Sequence, residues 1–538
     1  MVKRKAPSKD DSDFEASASE QSDYTPSSTK PKAKPKGATG AGRKRAKRTD
    51  SDEGLTIEGE DTFDLPAHAA TRHYVGARSV PMQGALLAWF EGVHDARGMP
   101  WRKPFDASAD ADARSQRAYE VWVSEIMLQQ TQVTTVIPYY NKWMERFPTV
   151  RDLAVSDIET VNALWKGLGY YSRAARLLAG AQKVVKEMNG RLPTNAADMQ
   201  ANMPGIGRYT AGAICSIAYG EQVPVLDGNV TRLMSRVLAV HAPPKSKQTL
   251  DTLWQGAADL VHGCEQAGML NQALIELGAT ICKPREPSCG DCPVKSWCTA
   301  YSIAQKEQDL APLPDIEDAC TQCVSIPRSG SASKPQVTAY PMAVVRKKQR
   351  EETDAVFVLE WRSTDDGAER LFLLVKRPNT GLLAGLHEFP TMENPSSAQS
   401  DDNAHLGSVI MRYIENGSQL LESPRQPSDV PHVAKVQTVG DVVHVFSHIR
   451  KTYRVSWVVL TGTGGPPALR APTGAQPTQK KSTRTKKVAS VSANNGGVIS
   501  PPHSAWIKLS DVEHANVGTG VMKIWKMVNA GAGWAELE

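Results

Sequence analysis

Between about residues 80 and 310, apolar side chains recur at three- and four-residue intervals, the spacing that gathers them on one stripe of an α-helix. ALLAWFEGV, YEVWVSEIMLQQTQV, VNALWKGLGYY, LLAGAQKVVKEM, TAGAICSIAYG and NQALIELGATI carry this pattern or are apolar all round, and β-type alternation is scarce. An all-α domain over residues 76–307 is therefore predicted. Residues 308–335 turn to Pro, Asp and Ser, the composition of a linker. From residue 336 the pattern shortens. VTAYPMAVV, DAVFVLEW, LFLLVKR, VVHVFSH and TYRVSWVVL are β-branched and aromatic and predict strands of a mixed α+β domain over 336–530. Two stretches lack any pattern that builds a core: a polar tail over residues 1–75, and a Gly/Pro/Thr/Lys-rich insert over 464–503 with six Lys/Arg and no acid.

Length and charge refine this organisation. A chain of 538 residues has room for about three domains. A net charge of +5 is modest, so nucleic-acid contact has to come from local patches. Residues 1–49 carry 13 Lys/Arg against 6 Asp/Glu, and Lys3-Arg4-Lys5 with Arg43-Lys44-Arg45-Ala46-Lys47-Arg48 reads as a nuclear import signal, a weak DNA-binding arm or a merely solvated charge run. No apolar leader follows Met1 and no run of about 18 apolar residues occurs, so no membrane span is expected. Eight cysteines without a secretory leader fit a reducing compartment.

Three motifs carry chemistry. Cys282, Cys289, Cys292 and Cys298 form a C-x6-C-x2-C-x5-C array within 17 residues. Four thiolates on one loop suit a [4Fe–4S] cluster, or zinc; all-cysteine zinc sites usually come as two C-x2-C knuckles, and here there is one. Met203-Pro204-Gly205-Ile206-Gly207-Arg208 is a glycine-bracketed turn opening into a helix. It has the form of a helix–hairpin–helix, in which Gly205 and Gly207 let backbone N–H groups approach a DNA phosphate, unless it is only a tight turn. Asp227 follows among apolar residues, as a helix N-cap, a catalytic carboxylate or both. Upstream, Glu125 sits in a strongly apolar helical run, where burial would raise its pKa and keep a general acid protonated near neutrality; a structural ion pair is the other reading.

In order and spacing, MPWR (99–102), SEIMLQQTQV (124–133), GLGYYSRA (167–174), MPGIGRYTAGAI (203–214), LDGNV (226–230), NQALIELGA (271–279) and the cysteine array resemble the MutY-type adenine DNA glycosylases. These are base-excision repair enzymes of the helix–hairpin–helix superfamily, and a eukaryotic member is expected. A weaker match through LLVKRPNTGLLAGLHEFP (373–390) and VFSHIR (445–450) resembles the family's Nudix-like domain, which recognises 8-oxoguanine.

The resemblance implies hydrolytic removal of adenine mispaired with 8-oxoguanine or guanine. Glu125 would protonate adenine N7 and Asp227 would stabilise the oxocarbenium-like sugar. Tyr209 and Asn229 match active-site residues beside them; Trp101, Arg102, Leu128 and Glu276 match the adenine pocket. Gln130 and Tyr170 match residues that wedge into the duplex, and Thr131, Phe446, Ser447 and His448 those near the oxidised base. Endonuclease III-type relatives carry a lysine at position 209, whose amine forms a Schiff base. Tyr209 therefore implies a monofunctional enzyme, against the alternatives of a bifunctional lyase and a silent lesion-binding module. The region 381–405 lacks the paired glutamates and arginine of a working Nudix box, so no pyrophosphohydrolase activity is expected.

The resemblance also implies one [4Fe–4S] cluster on Cys282, Cys289, Cys292 and Cys298, within a domain closing at residue 307. Animal members hold zinc with three linker cysteines and a histidine ahead of the catalytic domain. This chain supplies Cys320 and Cys323, with His73 or His68 as the histidine; the other reading is a pair of reduced thiols. Cys215 and Cys264 are expected in the core. Mispaired double-stranded DNA, a sliding clamp and an AP endonuclease are the partners implied for a monomer working in the nucleus, with the mitochondrion as a second compartment.

Overall fold

The computed structural model describes residues 62–63, 68–305, 314–327, 336–344, 348–365, 369–378, 381–393, 431–446, 448–469 and 504–531. The predicted N-terminal tail up to residue 61, residues 470–503 of the basic insert, and Ser447 lie outside them. Helices α1 (Ser79–Val93), α2 (Ala111–Leu128), α3 (Val133–Arg146), α4 (Val150–Ala154), α5 (Ile158–Trp165), α6 (Ser172–Glu187), α7 (Ala196–Asn202), α8 (Arg208–Tyr219), α9 (Gly228–Val237), α10 (Lys247–Val261), α11 (Ala267–Thr280) and α12 (Thr299–Gln305) fill the region predicted helical. Among the described residues, no helix is long and apolar enough to cross a membrane.

Two of the predicted helical runs are broken. YEVWVSEIMLQQTQV is divided between α2 and α3, because Gln130 between them holds φ +55°, which a right-handed helix cannot contain. VNALWKGLGYY stops at Trp165, since Gly167 (φ +98°), Gly169 (φ +76°) and Tyr170 (φ +50°) turn the chain the other way.

The chain forms two compact units. The described residues up to 133 together with those of 183–345 form one; the described residues of 134–182 together with those from 346 onward form the other. In the first unit, α1, α9, α10 and α11 enclose a core that includes Leu86, Phe90, Leu233, Met234, Leu260, Leu274 and Leu277, with α2 packed on α8. Outside these helices, β1 (Thr62–Phe63) pairs antiparallel with β2 (Ile326–Pro327). VTAYPMAVV does not form the expected strand. Val337–Ala339 make a 3-10 turn, Pro341 offers no N–H for a ladder, and Tyr340 is buried against Ala239, Ala300 and Ile326 instead.

The second unit holds a seven-stranded sheet of β3 (Arg350–Ser363), β4 (Leu371–Lys376), β5 (His387–Glu388), β6 (Thr391–Glu393), β7 (His432–Val445), β8 (Ile449–Gly462) and β9 (Ser504–Lys508). Its order is β5-β4-β3-β8-β7, with β6 on β3 and β9 on β4; β3 and β8 run parallel, from Arg350↔Ile449 to Ser363↔Gly462. Alternation along β3 serves two cores. Val356 and Val358 face a cluster completed by Ile524 and Trp525 of α13 (Thr519–Asn529), while Phe357, Leu359 and Trp361 face the other side. A helical region followed by a mixed α+β sheet is the expected fold class.

Candidate active site

Helix α2 begins at Asp110, whose carboxylate accepts the Ala113 N–H at 2.8 Å. Every residue from Ala118 to Met127 is buried, so the helix offers Glu125 no solvent face. Burial pushes the Glu125 carboxyl up to about 7; the Tyr209 hydroxyl opposes this, the Asp227 charge adds to it, and Arg102 opposes it. Tyr209 stands in the first turn of α8 and donates to Glu125 Oε2 at 2.8 Å. The turn before α8 uses its glycines unequally. Gly205 holds φ +77°, whereas Gly207, the N-cap, is extended at φ −94°.

Asp227 is both an N-cap and a half-buried carboxylate beside this pair. It accepts the Val230 N–H at 2.7 Å and the Asn229 Nδ2 amide at 3.0 Å, at the positive end of α9. Desolvation raises its pKa, and these two donors with Arg232 oppose the rise. Asn229 is held in one orientation, because Arg232 donates to its Oδ1 at 2.9 Å while also donating to Gly278 O and Cys282 O. Helix α11 comes close enough here that a Cβ on Gly278 would lie 2.8 Å from Asn229.

Glu276, on α11, is buried and takes Arg102 at 2.5 Å and Arg97 at 3.1 Å. Trp101 is buried in the loop between α1 and α2, and Leu128 closes α2. Thr131 follows, its N–H bonded to Leu128 O. In the second unit Tyr170 is half exposed, with the Arg173 guanidinium over its ring at 5.4 Å. There too the β7–β8 turn carries Phe446, whose ring meets His444 edge-on at 4.5 Å, and an exposed His448.

Cys282, Cys289, Cys292 and Cys298 line one cavity with Leu233, Val237, Ile281 and Val294. Burial pushes the Cys292 thiol up to about 11 and Cys298 to about 12, so these sulfurs ionise only beside a strong positive charge. Arg236, 1% exposed, donates to Cys282 Sγ at 3.2 Å and to the carbonyls of Lys283, Pro284 and Tyr340. Soft, apolar-walled sulfur ligands with a cationic donor fit an iron–sulfur cluster, whose metal charge would stabilise the thiolates. A second set gathers the ligand atoms of His68, His73, Cys320 and Cys323 within 4.8 Å of one another. Burial lowers His73 to about 4, which keeps its imidazole neutral. Cys215 and Cys264 are core residues, as expected.

Sequence reasoning passed over Arg97, Arg232, Arg236 and Gly278. Arg232 and Arg236 stand four residues apart on one face of α9, a spacing that pairs side chains on a helix. Apart from the Arg232 bond to Asn229, their partners are 46 to 104 residues away, which no local pattern reports.

Residues 123–258 match the HhH-GPD superfamily of base excision DNA repair proteins. The chain is 42% identical over 410 residues to the adenine DNA glycosylase of Homo sapiens, covering 74% of this chain and 70% of that one. It is 43% identical over 398 residues to the adenine DNA glycosylase of Mus musculus, covering 73% and 72%. Among solved structures, a thermostable thymine-DNA glycosylase is 25% identical and covers 41% of this chain and 94% of its own, with a TM-score of 0.35. The chain belongs to the adenine DNA glycosylases of the HhH-GPD superfamily, DNA-binding enzymes of base excision repair.

Proposed function

We propose that this adenine DNA glycosylase is monofunctional and acts on adenine paired with 8-oxoguanine or guanine. The observation that carries the reading is a buried carboxyl that burial raises to about 7, beside a second carboxyl that accepts two N–H donors. With its carboxyl at about 7, Glu125 is about half protonated at neutral pH. It gives that proton to N7 of an adenine flipped from the stack into a pocket bounded by Trp101, Arg102, Leu128 and Glu276. The glycosidic electrons leave with the protonated base. The positive sugar that remains is stabilised by Asp227, or bonds to it transiently, until water completes hydrolysis at the sugar carbon. Asn229, clamped by Arg232, keeps its amide aimed at Asp227, so the carboxylate does not reorganise as charge develops.

Tyr209 has no amine, so no Schiff base forms and the strand is left intact. Gln130 and Tyr170 serve as wedges, which fits their positive φ, a strain that proteins keep at working positions. Thr131 and the Phe446–His448 turn, with Ser447, read the oxidised base, and the Gly205–Gly207 turn grips the backbone. Cys282, Cys289, Cys292 and Cys298 would hold one [4Fe–4S] cluster, which would supply a rigid knot for a loop whose Lys283, Arg285 and Lys295 meet DNA phosphates. Cys320 and Cys323 with His73 hold a zinc ion. The protein acts in the nucleus as a monomer, tethered by a sliding clamp, and passes its abasic product to an AP endonuclease.

The test is single-turnover cleavage of duplexes with A, G or T opposite 8-oxoguanine. Adenine alone is released, and Glu125→Gln abolishes release without affecting binding. Equal release of thymine, or a covalent adduct trapped by borohydride, overturns the reading.

A further inference from the structure

His73 and His68 lie at the end of a chain segment that is zipped to the linker. Thr62 and Phe63 pair with Pro327 and Ile326, the Ala70 N–H donates to Asp318 O at 2.8 Å, and the Cys320 N–H donates to His68 O at 2.8 Å. This register sets His68 directly against Cys320 and brings Cys323 to the same point. His73 enters from one turn further along, its Nδ1–H donating to Leu238 O at 2.8 Å. A carbonyl can only accept, so that bond fixes the tautomer and leaves Nε2 as a bare lone pair.

Three groups crowd that single lone pair. His68 Nε2 lies at 3.2 Å, Cys320 Sγ at 3.3 Å and Cys323 Sγ at 3.4 Å. One sp² lone pair satisfies one donor well, and three donors at this range compete for it. A tetrahedral ion explains the distances directly. With bonds of about 2.05 Å to nitrogen and about 2.3 Å to sulfur, the nitrogens of two ligands stand about 3.3 Å apart and a nitrogen and a sulfur about 3.6 Å. The three separations from His73 Nε2 fall within about 0.3 Å of these values.

We propose that His68 is the fourth ligand of the linker zinc, making a two-cysteine, two-histidine site that pins the segment ahead of α1 to the linker. The proposal rests on the reading that the linker binds zinc, and adds that this chain fills the place of a missing cysteine with an imidazole. The arrangement has the features of a closed structural site: four protein ligands, both histidines buried, and one oriented by a backbone carbonyl. Its two thiolates neutralise a divalent ion.

Full-length protein, purified with its iron intact, distinguishes the parts. The wild type contains one zinc per chain in addition to the cluster iron. In chelator competition, His68→Ala releases zinc at least about 100-fold more readily, since losing a ligand exceeds the loss of an outer partner. Cobalt substitution gives the intense bands of a tetrahedral ion in the wild type and the weak bands of a hydrated one in His68→Ala. His68→Cys restores the tetrahedral spectrum and raises thiolate-to-cobalt charge transfer by about half, from two sulfurs to three. Unchanged iron content and cluster absorption in each variant exclude misfolding. Zinc held by His68→Ala with unaltered affinity and cobalt spectrum overturns the ligand assignment while leaving the zinc reading standing. A wild type without zinc, its Cys320 and Cys323 both open to alkylation, overturns both.

Discussion

Replacing Glu125 by glutamine should stabilise the protein while removing its activity, and the stabilisation should grow with pH. Burial holds the folded carboxyl at about 7 against an ordinary value of 4.5. Between those values the unfolded chain has shed a proton that the folded chain keeps, so rising pH favours unfolding. At 1.36 kcal/mol per tenfold, the full penalty reaches about 3 kcal/mol, of which about 2.5 kcal/mol develops between about pH 5 and about pH 8. Glutamine does not titrate, has nearly the same shape, and still accepts the Tyr209 hydroxyl. Over that pH range the melting temperature of Glu125→Gln should therefore gain about 5–10 °C on the wild type, by fluorimetry at one scan rate. A gap that stays flat with pH, or narrows, would refute the claim that Glu125 is held neutral by burial.

Two further outcomes follow from the same cluster. Tyr209→Phe removes the donor that lowers the Glu125 pKa, so the alkaline limb of the single-turnover rate should move up by about 1–2 pH units; an unmoved limb counts against Tyr209 acting on Glu125. Gly278→Ala drives a methyl group to 2.8 Å from Asn229; adenine release should fall by up to about 100-fold with DNA affinity nearly intact, and stability should drop by about 1–3 kcal/mol. A fall in affinity of the same size would place the damage elsewhere.

Much of the candidate site could be read along the chain because its parts are local. The cysteine array closes within 17 residues, Asp227 caps the helix that follows it, and Glu125 stands out as a carboxylate among apolar neighbours. The breaks at Gln130 and Tyr170 were hidden because neither residue type announces a positive φ. VTAYPMAVV failed as a strand although its composition favours one. Its tyrosine gains more by filling the space beside Ala239 and Ala300 than the segment would gain in a ladder interrupted by Pro341.

By itself, then, the sequence determined the helical and sheet regions, the family and the residues that carry charge, since periodicity, composition and motif spacing are properties of neighbouring positions. The tertiary structure alone decided which charges meet. Arg97 and Arg102 reach Glu276 across 179 and 174 residues, Arg236 reaches the cluster loop, and His68 meets Cys320 because the segment ahead of α1 pairs with the distant linker. Such contacts follow from how helices and strands pack. Burial depends on that packing too, and it is what sets the protonation state of Glu125.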